Sequence, residues 1–107
     1  MTTSTSNKIA ELNDQFRKNL TLGVVNRTNR VTAIDAEKLM QSIASFDNFT
    51  EDNDPWREHD FGSIELDGEC LFWKIDYYDL QLEYQSEDPA DTNKTKRVMT
   101  IMFADEY

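Results

Sequence analysis

The spacing of apolar residues changes period partway along the chain, and that change restricts the fold more than any other feature. Ile9, Leu12, Phe16 and Leu20 recur at three- and four-residue intervals, with Lys8, Glu11, Asp14 and Lys18 on the opposite face. This is the period of a helix buried along one side, running over about 6–20, and Ser6 is placed to cap it. Ala36, Leu39, Ile43 and Phe46 repeat the pattern, and Thr32 with Asp35 predicts a capped second helix over about 33–46. From Phe61 the spacing falls to two. "FGSIEL" and "ECLFWKIDYY" flank Asp67-Gly68, a pair suited to the positive backbone angles of a tight hairpin. On the second of these strands Leu71, Trp73, Ile75 and Tyr77 share one face and are the better core candidates. Cys70, Phe72, Lys74, Asp76 and Tyr78 share the other. "RVMTIMFADEY" alternates again, with Val98, Thr100, Met102 and Ala104 opposite Met99, Ile101 and Phe103.

The remaining segments fill in the order of elements. "TLGVV" reads as a short strand, "NRTNR" as a turn, "DLQLEY" as a further short strand or a continuation of the ribbon, and "QSEDPADTNKTK" as a polar loop. The expected fold class is α+β: two N-terminal helices packed on an antiparallel sheet of about four strands. The final strand is expected at an edge, where it is available for pairing in a homodimer. Residues 1–107 are expected to form one domain with residues 1–5 as a frayed, disordered polar tail, since 107 residues suffice for a modest core. No apolar run approaches the roughly 20 residues that span a bilayer, and residues 1–8 carry no apolar leader. A single cysteine, Cys70, suits a reducing cytoplasm.

Charge is distributed unevenly. Residues 1–50 hold six Lys/Arg against five Asp/Glu, whereas residues 51–107 hold five against sixteen, so the second half carries −11. Its field repels a phosphate backbone, which argues against direct nucleic-acid binding and for attraction to a basic protein surface.

The stretch "NDPWREHDFG", residues 53–62, gathers acids, a base and the single histidine, and it admits several chemical readings. Zinc normally takes three or four Cys, His or carboxylate ligands, and here only His59 and Cys70 accompany the acids. A calcium loop of the EF-hand type starting at Asp52 would need glycine and glutamate where Arg57 and Ser63 stand. Glu58, His59 and Asp60 carry the right groups for acid–base work, but adjacent residues seldom share a pocket and no nucleophile stands in an elbow or triad pattern. Three glycines, Gly23, Gly62 and Gly68, form no phosphate loop, so neither metal nor cofactor is expected.

A structured turn accounts for more of these residues. Pro55 biases Asp54 towards extended backbone, and Asn53 or Asp54 can bond nearby amides. Trp56 and Phe61 are expected to bury the turn near Phe46 and Phe49. Glu58 or Asp60 is expected to pair with Arg57, Arg97 or His59. Gly62 permits close backbone approach or a bulge. Further along, Lys74 with Asp76 suits a surface ion pair, and Asp76, Tyr77, Tyr78 and Asp79 an acidic aromatic contact patch.

Four blocks, "NDPWREHDFG", "FWKIDYYD", "SEDPAD" and "RVMTIMFADEY", resemble those of a family of small bacterial proteins catalogued as a domain of unknown function. The likeness covers about residues 45–107, and the earlier part matches only through the "LND-x-F-R" opening at Leu12 to Arg17. It marks Asn53, Asp54, Pro55, Glu58, His59, Asp60, Phe61, Gly62, Trp73, Lys74, Asp76, Tyr77, Tyr78 and Arg97. The resemblance brings no established activity. It implies accessory cargo of mobile elements, a setting in which small acidic proteins inhibit host defence.

The functional expectation is a non-enzymatic acidic inhibitor of anti-CRISPR or anti-restriction type, acting in the cytoplasm without cofactor, membrane or direct nucleic-acid contact. It would occupy a basic nucleic-acid-binding surface of a host protein or nucleoprotein complex. The contact residues expected are Glu51, Asp52, Asp54, Glu58, Asp60, Glu65, Asp67, Glu69, Asp76, Tyr78, Asp79, Glu87 and Asp88. Asn53, Pro55, Trp56, His59, Phe61 and Gly62 are expected to shape the turn. The alternatives are a small hydrolase or metal-dependent enzyme centred on Glu58, His59 and Asp60, and a homo-oligomeric structural module.

Overall fold

The computed structural model describes residues 5–107. Helix α1, Thr5–Lys18, includes Ser6 rather than starting after it, so Thr5 belongs to the helix and residues 1–4 of the expected tail lie outside the described residues. Ile9, Leu12 and Phe16 are buried, as their spacing requires. Asn13 and Arg17, one helical turn apart, are buried beside them. The helix stops at Lys18, short of Leu20, because Asn19 opens a 3₁₀ turn, Leu20–Leu22, and accepts from the Thr21 amide. Strand β1, Val24–Arg27, follows, so the expected "TLGVV" strand is shifted along the chain and Asn26 and Arg27 belong to it rather than to a turn.

A second 3₁₀ turn, Val31–Ala33, precedes helix α2, Ala36–Ser45. The helix begins three residues after the expected start because Asp35, not Thr32, is its cap and accepts from the Lys38 amide at 3.2 Å. Strands β2, Phe61–Leu66, and β3, Glu69–Tyr78, form the anticipated hairpin, with Asp67 (φ 53°) and Gly68 (φ 80°) both left-handed. "DLQLEY" is not a strand. The Asp79 carboxylate accepts from the Gln81 and Glu83 amides and curls the segment into a turn, leaving only an isolated bridge between Tyr78 and Gln85. Strand β4, Lys96–Phe103, ends in a 3₁₀ turn, Ala104–Glu106, closed by the Glu106 carboxylate accepting from the Phe103 amide.

The strand order is β1-β4-β3-β2. β2, β3 and β4 are antiparallel neighbours, while β1 lies parallel to β4, so the sheet is mostly antiparallel rather than wholly so. The last strand is central, not an edge; β1 and β2 are the edges. Helix side chains Phe16, Leu39 and Ile43 meet Leu71, Trp73, Ile75, Met99 and Ile101 in the core. Gly62 is required by that packing: a Cβ there would lie 2.4 Å from Nε1 of Trp73. The opposite sheet face carries Phe61, Phe72 and Tyr107, whose rings meet edge-on or tilted at 5.1–6.2 Å. Among the described residues no helix is long and apolar enough to cross a membrane.

Candidate functional site

Residues 46–60 link α2 to β2 as a loop shaped by its own polar side chains. The Asn53 side chain accepts from the Thr50 amide at 2.8 Å and donates to the Asn48 carbonyl at 2.9 Å. Asp54 is buried, and its carboxylate accepts from the amides of Glu58 and His59 at 3.0–3.3 Å. Those bonds hold Arg57 and His59 in left-handed backbone, each with φ 56°. Such a conformation costs a non-glycine residue about 1–2 kcal/mol. Two of them within three residues are held in place by Asp54, whose carbonyl accepts from the Arg57 amide and whose carboxylate accepts from the next two. Asn53 and Asp54 do bond nearby amides, but three, four and five residues away rather than two, and the burial expected of the turn's aromatics is not found. Trp56 is 77% exposed, and Phe61 packs on the open sheet face with Phe72 and Tyr107.

His59 takes the place expected for Trp56. Its ring stacks on Phe49 with centroids 3.9 Å apart and planes 2° from parallel. Nδ1 lies 3.0 Å from Oδ1 of Asp14 on α1, so the proton on that nitrogen faces a carboxylate. Nε2 lies 3.9 Å from Oδ2 of Asp54, beyond hydrogen-bond reach. The expected pairing of Glu58 or Asp60 with a local base is not formed. Asp14 instead serves both His59 and Arg17, whose Nη2 donates to it at 2.7 Å. Nη1 of Arg17 donates to the carbonyls of Ile43 and Phe46 at 2.6 and 2.9 Å, satisfying the C-terminal end of α2. A cleft of about 650 Å³ opens beside this group, lined by Glu11, Asp14, Phe49, Thr50, Asp54 and His59 among others.

Glu58 faces a different network. Its Oε1 accepts from the Tyr77 hydroxyl at 2.9 Å, and its carbonyl accepts from Nδ2 of Asn13 at 2.9 Å. The same Nδ2 donates to the Tyr77 oxygen, and Oδ1 of Asn13 accepts from Nε of Arg97 at 2.7 Å. Burial, reinforced by nearby carboxylates, pushes the Tyr77 hydroxyl well above its ordinary range. Asp60 is half-buried; burial first, and then the charge of Glu58, raise its carboxyl to about 6. Glu58, His59 and Asp60 are thus consecutive in sequence while Glu58 and His59 engage separate partners.

The other expected contact residues divide between the two ends of β3, which ten residues place about 30 Å apart. Asp60, Glu58 and Asp54 lie towards the Tyr78 end, as the 2.8 Å bond from the Ile75 amide to the Asp60 carbonyl, the Tyr77 hydroxyl's bond to Glu58 and the Glu58 amide's bond to Asp54 fix, and Glu51 and Asp52 are exposed earlier in the same loop. Asp76, Tyr78, Asp79, Glu87 and Asp88 share that end, whereas Glu65, Asp67 and Glu69 surround the hairpin turn at the other. Several have structural partners: Asp67 with Lys38, Asp76 with Lys74, and Glu87 with Lys94. The Asp88 carboxylate accepts from the Ala90 amide. Among the described residues, no group of three or more His, Cys, Asp or Glu side chains is arranged to hold a metal.

Sequence reasoning passed over Asn13, Asp14, Arg17 and Phe49 as site residues. The available signal was the polar pair Asn13 and Arg17 sharing a helical face with the apolar stripe, together with the "LND-x-F-R" opening. No curated protein and no solved structure shows a significant match to the chain. A family model described as "Protein of unknown function (DUF3768)" matches residues 5–106, nearly all of the described chain. Its reach includes α1, so the helix that supplies Asn13, Asp14 and Arg17 falls inside the match, and the chain belongs to this family of unknown function.

Proposed function

We propose that this protein is a non-enzymatic binding protein that docks on a basic surface of another protein, with Trp56 as its anchor. The observation that carries this reading is a large aromatic side chain, 77% exposed, in a loop whose backbone is held by Asp54. Such a loop needs no reordering on binding, and tryptophan is enriched among interface hot spots. Glu51 and Asp52, exposed in the same loop, would favour lysine- or arginine-rich partners and outnumber the exposed Arg57 next to the tryptophan. The partner class that best matches such charge is the nucleic-acid-binding surface of a cytoplasmic defence protein of CRISPR or restriction type, which the bound protein would block.

The test is competition: binding to purified CRISPR and restriction effectors, measured by their loss of DNA binding at low and high salt. Trp56→Ala is expected to fold normally and weaken a true interaction about thirtyfold or more. Binding that withstands both this substitution and high salt would overturn the reading.

A hydrolytic reading draws support from one contact, the Asp14–His59 pair beside the cleft. It makes His59 a base oriented by Asp14, in place of the Glu58, His59 and Asp60 trio. Under that reading His59→Ala abolishes turnover of a hydrolysable substrate without loss of fold; a variant that only melts earlier speaks for the loop-fastening role.

A further inference from the structure

Arg97 is the most unusual charge in the molecule. Only 5% exposed, it makes no ion pair among the described residues, although the chain carries 21 acids. Buried cations are ordinarily paired, because desolvating a lone one is costly. Neutral groups hold this guanidinium instead. Nε donates to Asn13 Oδ1 and Nη2 to the Pro89 carbonyl, each at 2.7 Å, and the Tyr77 ring lies 5.1 Å from its central carbon. Nη1 makes no hydrogen bond among the described residues. Arg97 also lines a small cleft of about 260 Å³ between α1 and residues 92–97, with Leu12, Phe16, Leu22, Gln15 and Thr95 among its walls.

We propose that this cleft binds a small monocarboxylate with an apolar tail, its carboxylate accepting from Nη1 of Arg97. The chemistry of the walls selects this class. Leu22, half-exposed at the rim, and the edge of Leu12 offer apolar surface to a tail, with Phe16 closing the floor from the core, and a fixed guanidinium offers a charge-assisted bond to one anionic group. The volume is below the roughly 300–1,000 Å³ of sites for drug-sized ligands, which suits a fragment. A polyanion would meet the repulsion of a molecule with net charge −10, whereas a monoanion with apolar surface incurs least of it. Because Asn13 and Pro89 already position the guanidinium, binding requires no reordering of Arg97.

The probes are hexanoate and benzoate, each against its uncharged amide, added to the 107-residue chain and followed by amide and arginine Nε–H resonances. Saturable shifts at Leu22, Thr95 and Arg97 are expected for the acids, with the amides at least tenfold weaker. Leu22→Trp, at the exposed rim, is expected to block the cleft and abolish the shifts while leaving the bonds of Arg97 intact. This second variant matters because Arg97→Gln also removes a tie between α1 and β4 and can fail to fold. Equal binding of acid and amide, shifts unaffected by Leu22→Trp, or no saturable response at millimolar probe would each overturn the proposal.

Discussion

Single side chains determine the shape of the 46–60 loop, and its two acids Asp54 and Asp60 sit in opposite electrostatic settings. Asp54 is buried with backbone amides directed at it, so its charge is solvated by the protein. Asp60 is half-buried beside Glu58 and lacks comparable support, and its carboxyl rises from 3.8 to about 6. The folded chain therefore holds that proton more tightly than the unfolded chain. The contribution of Asp60 is favourable towards pH 4 and is lost as pH rises through 6. Asp60→Asn, neutral throughout, is expected to raise stability at pH 7 by about 1 kcal/mol, allowing for solvent screening, and to show less gain on acidification than the parent. Urea titrations at pH 7 and pH 5 measure this; identical changes in both proteins would refute it. Asn53 and Asp54 were legible as turn formers because their bonds span at most five residues. The partner of His59 was not, because Asp14 is 45 positions away and its contact exists only once α1 packs beside the loop.

Among the elements, the hairpin was the most legible and β1 the least. Asp67-Gly68 and strict alternation specify β2, β3 and their register locally, whereas four residues from Val24 carry no mark of which strand they join, or in which direction. Packing between β2 and β3 leaves little slack where Gly62 faces the Trp73 indole. Gly62→Ala places a methyl group 2.4 Å from Nε1, and the strand or the indole must shift. The expected cost is about 1–3 kcal/mol, read as a lower midpoint in denaturant with a changed near-ultraviolet signal from Trp73. A variant as stable as the parent would show that the hairpin can move away from the ring. The turn at 79–84 illustrates the opposite case: alternating Leu80, Leu82 and Tyr84 imitate a strand, but the Asp79 cap and left-handed Leu82 (φ 60°) close the chain instead.

For the molecule as a whole, the sign and size of the charge were legible and its arrangement was not. Local roles engage many of the acids: Asp54, Asp79, Asp88 and Asp91 bind backbone amides within turns, and Asp67, Asp76, Glu87 and Asp105 meet lysine or arginine. The net −10 nevertheless opposes compaction. Raising sodium chloride from low to physiological strength, where screening falls to about 8 Å, is expected to increase the melting temperature; a decrease would mean that the surface pairs outweigh the repulsion. The strand order has a further, kinetic consequence. β4 follows every other strand in sequence yet lies in the middle of the sheet, so a ribosome must finish residues 96–103 before β1 and β3 have a common neighbour. Until then the sheet is limited to the β2–β3 ribbon, which depends on α1 and α2 for cover, since an isolated pair of strands is at best marginally stable in water. The sheet is therefore completed late, when its last strand in sequence inserts between β1 and β3.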